Sequence, residues 1–171
     1  YNSHSELYGA LKLSRGGYPK DGFFLRAESF YNVASEIERL DNIPAASPPI
    51  IDGYGGVSLH EQSHGESFMA LAMNRFRGHG LYILDEPEAA LSPTAQMALL
   101  SRLYELARND SQLIIATRSV IISALPDADV YEITEKGINK TEYVKTSHYN
   151  IMKHFINSPE KMVSDLTGKE R

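Results

Sequence analysis

The segment Leu81-Tyr82-Ile83-Leu84-Asp85-Glu86-Pro87 decides the fold class of this chain. Its first four residues are apolar without interruption, a pattern typical of a strand in a parallel sheet. Two carboxylates follow at once, and Pro87 ends the strand because proline has no backbone N–H to donate. A buried strand that ends in two acidic residues predicts an α/β domain with its chemistry at that end of the sheet.

Strand-like and helix-like stretches alternate on both sides of this segment. The spacing of apolar residues predicts helices over Phe68–Phe76 and Thr94–Ala107, and Leu113–Ala116 is a second uninterrupted apolar strand. Such alternation predicts a parallel sheet flanked by helices, with both faces of these strands buried. Val130–Ile133 predicts a later strand, and the turn at Glu135-Lys136-Gly137 makes it part of a hairpin.

The first part of the chain is less regular than the second. Phe23–Ala27 predicts a buried strand that leads into a helix over Glu28–Leu40. Residues 41–57 are rich in proline and glycine, which predicts a connecting loop. We therefore divide the chain into a partial lobe, residues 1–57, and a second part, residues 58–171. Two short helices are predicted near the end, over Tyr149–Phe155 and Pro159–Leu166.

Composition excludes several classes of function. None of the 171 residues is Cys, which excludes disulfide frameworks, thiolate zinc sites and cysteine nucleophiles. The formal net charge of −5 argues against a chain that coats nucleic acid or an anionic membrane through its overall field. No apolar run approaches the roughly 20 residues that cross a bilayer, so we expect a cytoplasmic protein.

The acidic pair, Asp85 and Glu86, meets a specific chemical need. Asp85 would hold a hydrated Mg²⁺, while Glu86 would orient and deprotonate an attacking water. The alternative is a solvated turn that only closes a strand, and for an isolated acidic pair that alternative would be the better one. The motifs around the pair favour the first interpretation.

Several motifs occur together in the order of one family. Residues 81–87 resemble a Walker B strand, Leu91-Ser92-Pro93 resembles the D-loop, and Ser63-His64-Gly65-Glu66-Ser67 resembles a signature loop one helix upstream. With Asp21–Phe30 and Ile114–Thr117, these motifs are similar to those of small soluble bacterial ABC-type ATPases, also described as AAA-family or ABC transporter-like ATP-binding proteins. The resemblance spans nearly the whole chain and implies a P-loop NTPase-like fold.

The resemblance implies ATP and Mg²⁺ as cofactors and a homodimer that encloses two nucleotides. Asp85 would then be the metal residue and Glu86 the catalytic base. The residues implied to meet the nucleotide held by the other protomer, or to line its site, are Ser63, His64, Gly65, Glu66 and Ser92. Physically, the start of a helix after Ser63 suits a phosphate. Alternatively, Ser63 only caps the helix, with Glu66 completing a capping box, and Ser92 caps the next one.

Two departures from the family pattern stand out. No stretch matches Gly-x-x-x-x-Gly-Lys-Ser/Thr, the Walker A loop that cradles phosphates, so we interpret the sequence as the carboxyl-terminal part of a longer protein. In addition, Arg118 follows Thr117 where the family usually places a switch histidine. An arginine can bind phosphate but cannot accept a proton from water, so Arg118 predicts nucleotide contact with lowered turnover.

Two functions remain open at the level of sequence. The first is ATP hydrolysis in a dimeric ABC-type ATPase, with catalysis by Glu86 and phosphate contact by Arg118. The second is a nucleotide-gated interaction module that turns over slowly or never and acts as a switch in DNA repair or phage defence. Candidate partners are a separate membrane subunit, DNA and an effector of a defence system.

Overall fold

A computed structural model describes residues 6–12, 14, 16–26, 30–44 and 47–168. In that part of the chain the helices are α1 (Phe30–Asp41), α2 (His64–Asn74), α3 (Pro93–Arg108), α4 (Ser147–Asn157) and α5 (Pro159–Thr167). The strands are β1 (Asp21–Arg26), β2 (Gly80–Asp85), β3 (Gln112–Ala116), β4 (Val130–Thr134) and β5 (Gly137–Thr141). The predicted helix start at Glu28 lies outside the described residues.

The predicted parallel sheet is confirmed, with β2 in its centre. β1 and β3 both pair with β2 in parallel, so that Arg26, Asp85 and Ala116 lie side by side at the carboxyl ends of the three strands. The predicted parts 1–57 and 58–171 thus both contribute to one sheet. The hairpin is confirmed as β4 and β5, which pair in an antiparallel manner as a separate two-stranded sheet.

The hydrophobic core lies on one face of the parallel sheet. Leu25, Tyr82 and Leu84 point into it and pack with apolar residues of α1, α2 and α3. The three helices share this face because right-handed crossovers that step through the sheet in one direction place their helices on the same side. In the part of the chain that the structure describes, no helix is both long and apolar enough to cross a membrane.

The opposite face of the sheet carries an apolar row of Phe24, Ile83 and Ile114, which are register partners. Phe24 is 66% exposed and Ile114 is 51% exposed. The expectation that both faces of these strands are buried is therefore wrong for the described residues. An uninterrupted apolar strand shows that both faces can be buried, but it does not show which layer covers each face.

Helix α2 begins and ends earlier than the range 68–76 that the apolar spacing predicts, whereas the cap predicted at Ser63 gives its start correctly. It begins at His64 because Ser63 caps its first turn, and it ends at Asn74. Near this end, Arg102 of α3 donates hydrogen bonds to the carbonyl oxygen of Ala72 in the last turn (3.2 Å) and to that of Phe76, two residues past the helix (2.6 Å). The guanidinium thus satisfies carbonyl groups that a helix end leaves without intrahelical partners.

Candidate functional site

Asp85, the predicted metal residue, lies at the carboxyl end of the central strand. Its Oδ2 is 3.2 Å from Nε of Arg26, which is its register partner on β1. The two side chains are 38% and 54% exposed, so water reaches the ion pair and weakens it. A metal ion can therefore compete for Asp85, and a phosphate can compete for Arg26.

Glu86, the predicted base, pairs with Arg118, the residue at the switch position. Nη2 of Arg118 is 2.9 Å from Oε1 of Glu86, with the side chains 83% and 43% exposed. The structure thus brings the two predicted catalytic residues together at the surface. The backbone N–H of Glu86 donates to the carbonyl of Ala116 (2.8 Å), which ties the end of β2 to the end of β3.

The backbone of Glu86 is left-handed, with a φ of 49°. Residues other than glycine, asparagine and aspartate visit this region rarely because Cβ crowds the following carbonyl group. Strain of this kind is often found at functional sites, where the surrounding structure maintains it. It is a further reason to treat the end of β2 as the reactive part of the sheet.

Glu88 is a member of the site that the sequence patterns did not reveal. Its Oε1 accepts a 2.6 Å hydrogen bond from the backbone N–H of Arg118. Its Oε2 is buried and has no hydrogen-bond partner. The residue lies in an acidic turn after Pro87, and no spacing rule marks a carboxylate whose partner is 30 residues away.

The predicted signature loop forms a capping box at the start of α2. Ser63 Oγ accepts a hydrogen bond from the Glu66 N–H (3.4 Å), and Glu66 Oε2 accepts from both the N–H (2.9 Å) and the hydroxyl (2.6 Å) of Ser63. The hydrogen bonds from Ser63, first from its side chain, hold the pKa of Glu66 below its usual value. The capping interpretation is therefore confirmed, and the phosphate-binding roles of Ser63 and Glu66 remain predictions.

Gly65 and His64 make packing contacts in this structure. A Cβ on Gly65 would lie 2.6 Å from the carbonyl oxygen of Ala90, so only glycine lets α2 come this close to the segment before α3. The His64 ring stacks edge-on against Phe30, with ring centroids 5.7 Å apart. The first contact joins α2 to the segment before α3, and the second joins α2 to α1.

Ser92, predicted in the D-loop, is the N-cap of α3. Its Oγ accepts from the Ala95 N–H (3.2 Å), and Pro93 occupies the first helical position. One turn later, Gln96 donates to the Leu91 carbonyl (3.0 Å) and accepts from the buried Ser119 hydroxyl (2.6 Å). Gln96 thereby links the D-loop-like segment to the residue after Arg118, a connection that sequence reasoning did not predict.

A second polar network lies at the amino ends of β1 and β2. Asp21 Oδ1 accepts from Arg75 (2.8 Å) and its Oδ2 accepts from the Tyr82 hydroxyl (2.8 Å). The same hydroxyl accepts from the backbone N–H groups of Arg77 and Gly78. Each carboxylate oxygen thus has a partner within the protein, so we assign this network to stability rather than to catalysis.

The acidic pair fits a magnesium ion that is bound mainly through a substrate. Among the described residues, no three His, Asp or Glu side chains are grouped closely enough to hold a metal ion by themselves. Mg²⁺ commonly takes only one or two carboxylates and fills its other positions with water and substrate phosphates. Asp85, partly exposed at the end of a strand, suits that mode of binding.

A family model described as "AAA domain, putative AbiEii toxin, Type IV TA system" matches residues 5–124, more than two thirds of the 171-residue chain. Comparisons with curated proteins and with solved structures found no match. The matched range contains the three parallel strands, the capped helix α2 and the acidic pair. This chain therefore belongs to that family of AAA domains, which are P-loop ATPase-like.

Proposed function

We propose that the chain supplies the catalytic strand end and the signature helix of a dimeric ABC-type ATPase that hydrolyses ATP. The observation that carries the proposal is the placement of Asp85 and Glu86 at the end of the central strand, with Arg26 and Arg118 beside them. Two exposed pairs, each of an acid and an arginine, at the same end of the sheet can meet both the metal and the phosphates of a nucleotide.

Each residue has a distinct part in this proposal. Glu86 accepts the proton of the attacking water, and Arg118 binds the phosphate group that is transferred. Asp85 holds Mg²⁺, which neutralises charge on the phosphate oxygens when it is bound. Ser63, His64, Gly65, Glu66 and Ser92 are assigned to the composite site with the second protomer. The phosphate-cradling loop is not among the motifs of this sequence, and the proposal assigns it to another polypeptide segment.

A second candidate is a nucleotide-gated switch that turns over slowly. The Arg118–Glu86 ion pair favours it, because the Glu86 oxygen that contacts Arg118 is less available to an attacking water, and arginine cannot accept a proton. As its partner we propose an effector of a defence system, with DNA and a separate membrane subunit as the alternatives; the family description names a putative toxin of a type IV toxin–antitoxin system.

Steady-state ATPase measurements on the complete gene product test both candidates. For the enzyme, Glu86→Gln should lower kcat by about 100-fold or more and trap a nucleotide-bound dimer. Glu135→Gln, in the turn between β4 and β5, is the matched control and should change nothing. Turnover that is unaffected by Glu86→Gln would remove Glu86 from its role.

The same assay separates the switch from the enzyme. Arg118→His restores a side chain that can accept a proton, so a slow switch should become faster. The isolated 171-residue chain should show negligible ATPase activity. Robust magnesium-dependent turnover by this chain alone would show that the missing phosphate cradle is not required.

A further inference from the structure

Arg118 contacts the segment after β2 through one backbone hydrogen bond and one side-chain ion pair. Its backbone N–H donates to Glu88, and its side chain pairs with Glu86. Both acceptors come from the turn that follows the central strand, whereas Arg118 follows β3. The backbone and the side chain of one residue are therefore held by two different carboxylates.

The backbone attachment is the more permanent of the two. At 2.6 Å, the hydrogen bond to Glu88 is short and charge-assisted. The other oxygen of Glu88 is buried, so the carboxylate is partly removed from competing water. The turn around it is also fixed, because the Ala89 N–H donates to the Glu86 carbonyl and the Leu91 N–H to the Glu88 carbonyl.

The side-chain attachment is exposed and easily exchanged. The Arg118 side chain is 83% exposed, and ion pairs of this kind are strongly weakened by water and salt. A phosphate group carries more negative charge than a carboxylate and presents oxygens that match the guanidinium fork. A phosphate near the end of β2 would therefore draw the Arg118 side chain away from Glu86.

We propose that Glu88 is a positioning residue that fixes the backbone of Arg118, so that the Arg118 side chain can exchange between Glu86 and the terminal phosphate of a nucleotide. The exchange leaves Glu86 without its ion pair only when a phosphate is present. Backbone movement of the loop after β3 is not needed. The phosphate half of this inference rests on the proposed function, whereas the Glu88 half does not.

Amide hydrogen exchange of the full chain without nucleotide tests the role of Glu88. Glu88→Ala should accelerate exchange at the Arg118 amide by about tenfold, because a hydrogen bond to a charged group is lost. Glu88→Gln keeps an acceptor oxygen and should stay close to the unmodified chain. The matched control is Glu132→Ala. The Glu132 carboxylate also accepts a hydrogen bond from a backbone N–H that is distant in sequence, that of Ser147 (2.8 Å). The control should accelerate Ser147 and leave Arg118 unchanged.

The outcomes of the exchange experiment are distinct. Equal Arg118 exchange in the unmodified and Glu88→Ala chains would overturn the inference, and so would a Glu88→Gln chain that exchanges as fast as Glu88→Ala. Neither result depends on whether the protein binds ATP. A failure of the proposed function therefore cannot be mistaken for a failure of Glu88 to hold the loop.

Addition of Mg-ATP to the complete gene product tests the exchange of the side chain. The Arg118 Nε–H resonance should shift on addition of Mg-ATP, and the shift should persist in Glu88→Gln. Glu88→Ala should lower kcat by about tenfold with little change in KM, because Arg118 is then poorly placed only for the reacting phosphate. ATP hydrolysis that is unaffected by Glu88→Ala would overturn the inference. Absence of any Arg118 shift with bound ATP would also overturn it.

Discussion

Asp21 shows how one partly buried carboxylate connects pH to stability. Burial raises the pKa of Asp21, but the hydrogen bonds from Arg75, Tyr82 and the Gly22 backbone and the charge of Arg75 together lower it by more, so the pKa lies below the ordinary value of 3.8. Burial and the hydrogen bond to Asp21 also raise the pKa of Tyr82. The charged form of Asp21 is therefore the form that the folded state favours.

Acid should remove the contribution of Asp21 to stability. The pKa of Asp21 is lower in the folded state than in the unfolded state, where it is near 3.8. The contribution is therefore complete at a pH above the unfolded-state pKa and is lost as the pH falls through the folded-state pKa. Asp21→Asn should lower the free energy of unfolding by about 1–3 kcal/mol at pH 7 and flatten its decline below about pH 4. Urea unfolding at several pH values measures both effects. Asp165→Asn, at an exposed position of α5, is the control. An unchanged acid profile in Asp21→Asn would contradict the assignment.

At the scale of elements, the approach of α2 to the segment before α3 depends on Gly65. In a helix, alanine is more stable than glycine by about 1 kcal/mol. At position 65, however, the Cβ of an alanine would lie 2.6 Å from the carbonyl oxygen of Ala90. We expect Gly65→Ala to destabilise the chain by about 1–3 kcal/mol, measured by thermal or urea unfolding. The control is Gly53→Ala, where a Cβ would meet nothing within 4 Å. A Gly65→Ala chain as stable as Gly53→Ala would show that the two elements can separate without cost.

Much of each element could be predicted from local sequence. The ends of β2 and β3 follow from uninterrupted apolar runs, and the starts of α2 and α3 follow from the caps Ser63 and Ser92. These signals act within a few residues, where side chain and backbone geometry are coupled.

The tertiary part of the site could not be predicted in the same way. The contacts of Glu88 with Arg118 and of Gln96 with Ser119 join residues 30 and 23 positions apart. Such contacts depend on the strand register and on the path of each loop, which no local pattern encodes. The acidic pair is recognisable from sequence because two carboxylates at the end of a buried strand have a chemical use. Glu88 is not recognisable in this way, because an acidic residue in a turn usually has no such use.

At the scale of the whole molecule, the two faces of the sheet should respond differently to the same loss of volume. Leu84 is 1% exposed and packs in the core, whereas Ile114 is 51% exposed on the other face. Leu84→Ala should cost about 2–5 kcal/mol, and Ile114→Ala only about 1 kcal/mol, because roughly half of its apolar surface already meets water. Urea unfolding of both variants checks the difference. Equal costs would mean that another layer covers Ile114 in solution.

The position of β2 between two neighbours also has a consequence for how dimers are measured. Within the described ranges, β1 and β3 each pair with β2 on one side, and no strand pairs with the outer edge of either. A sheet edge without a neighbouring strand can template edge-to-edge association between molecules, which grows with protein concentration and does not depend on nucleotide. A particle of doubled mass is therefore weak support for composite ATP sites. Only a dimer that forms with Mg-ATP and dissociates after hydrolysis reports on the acidic pair.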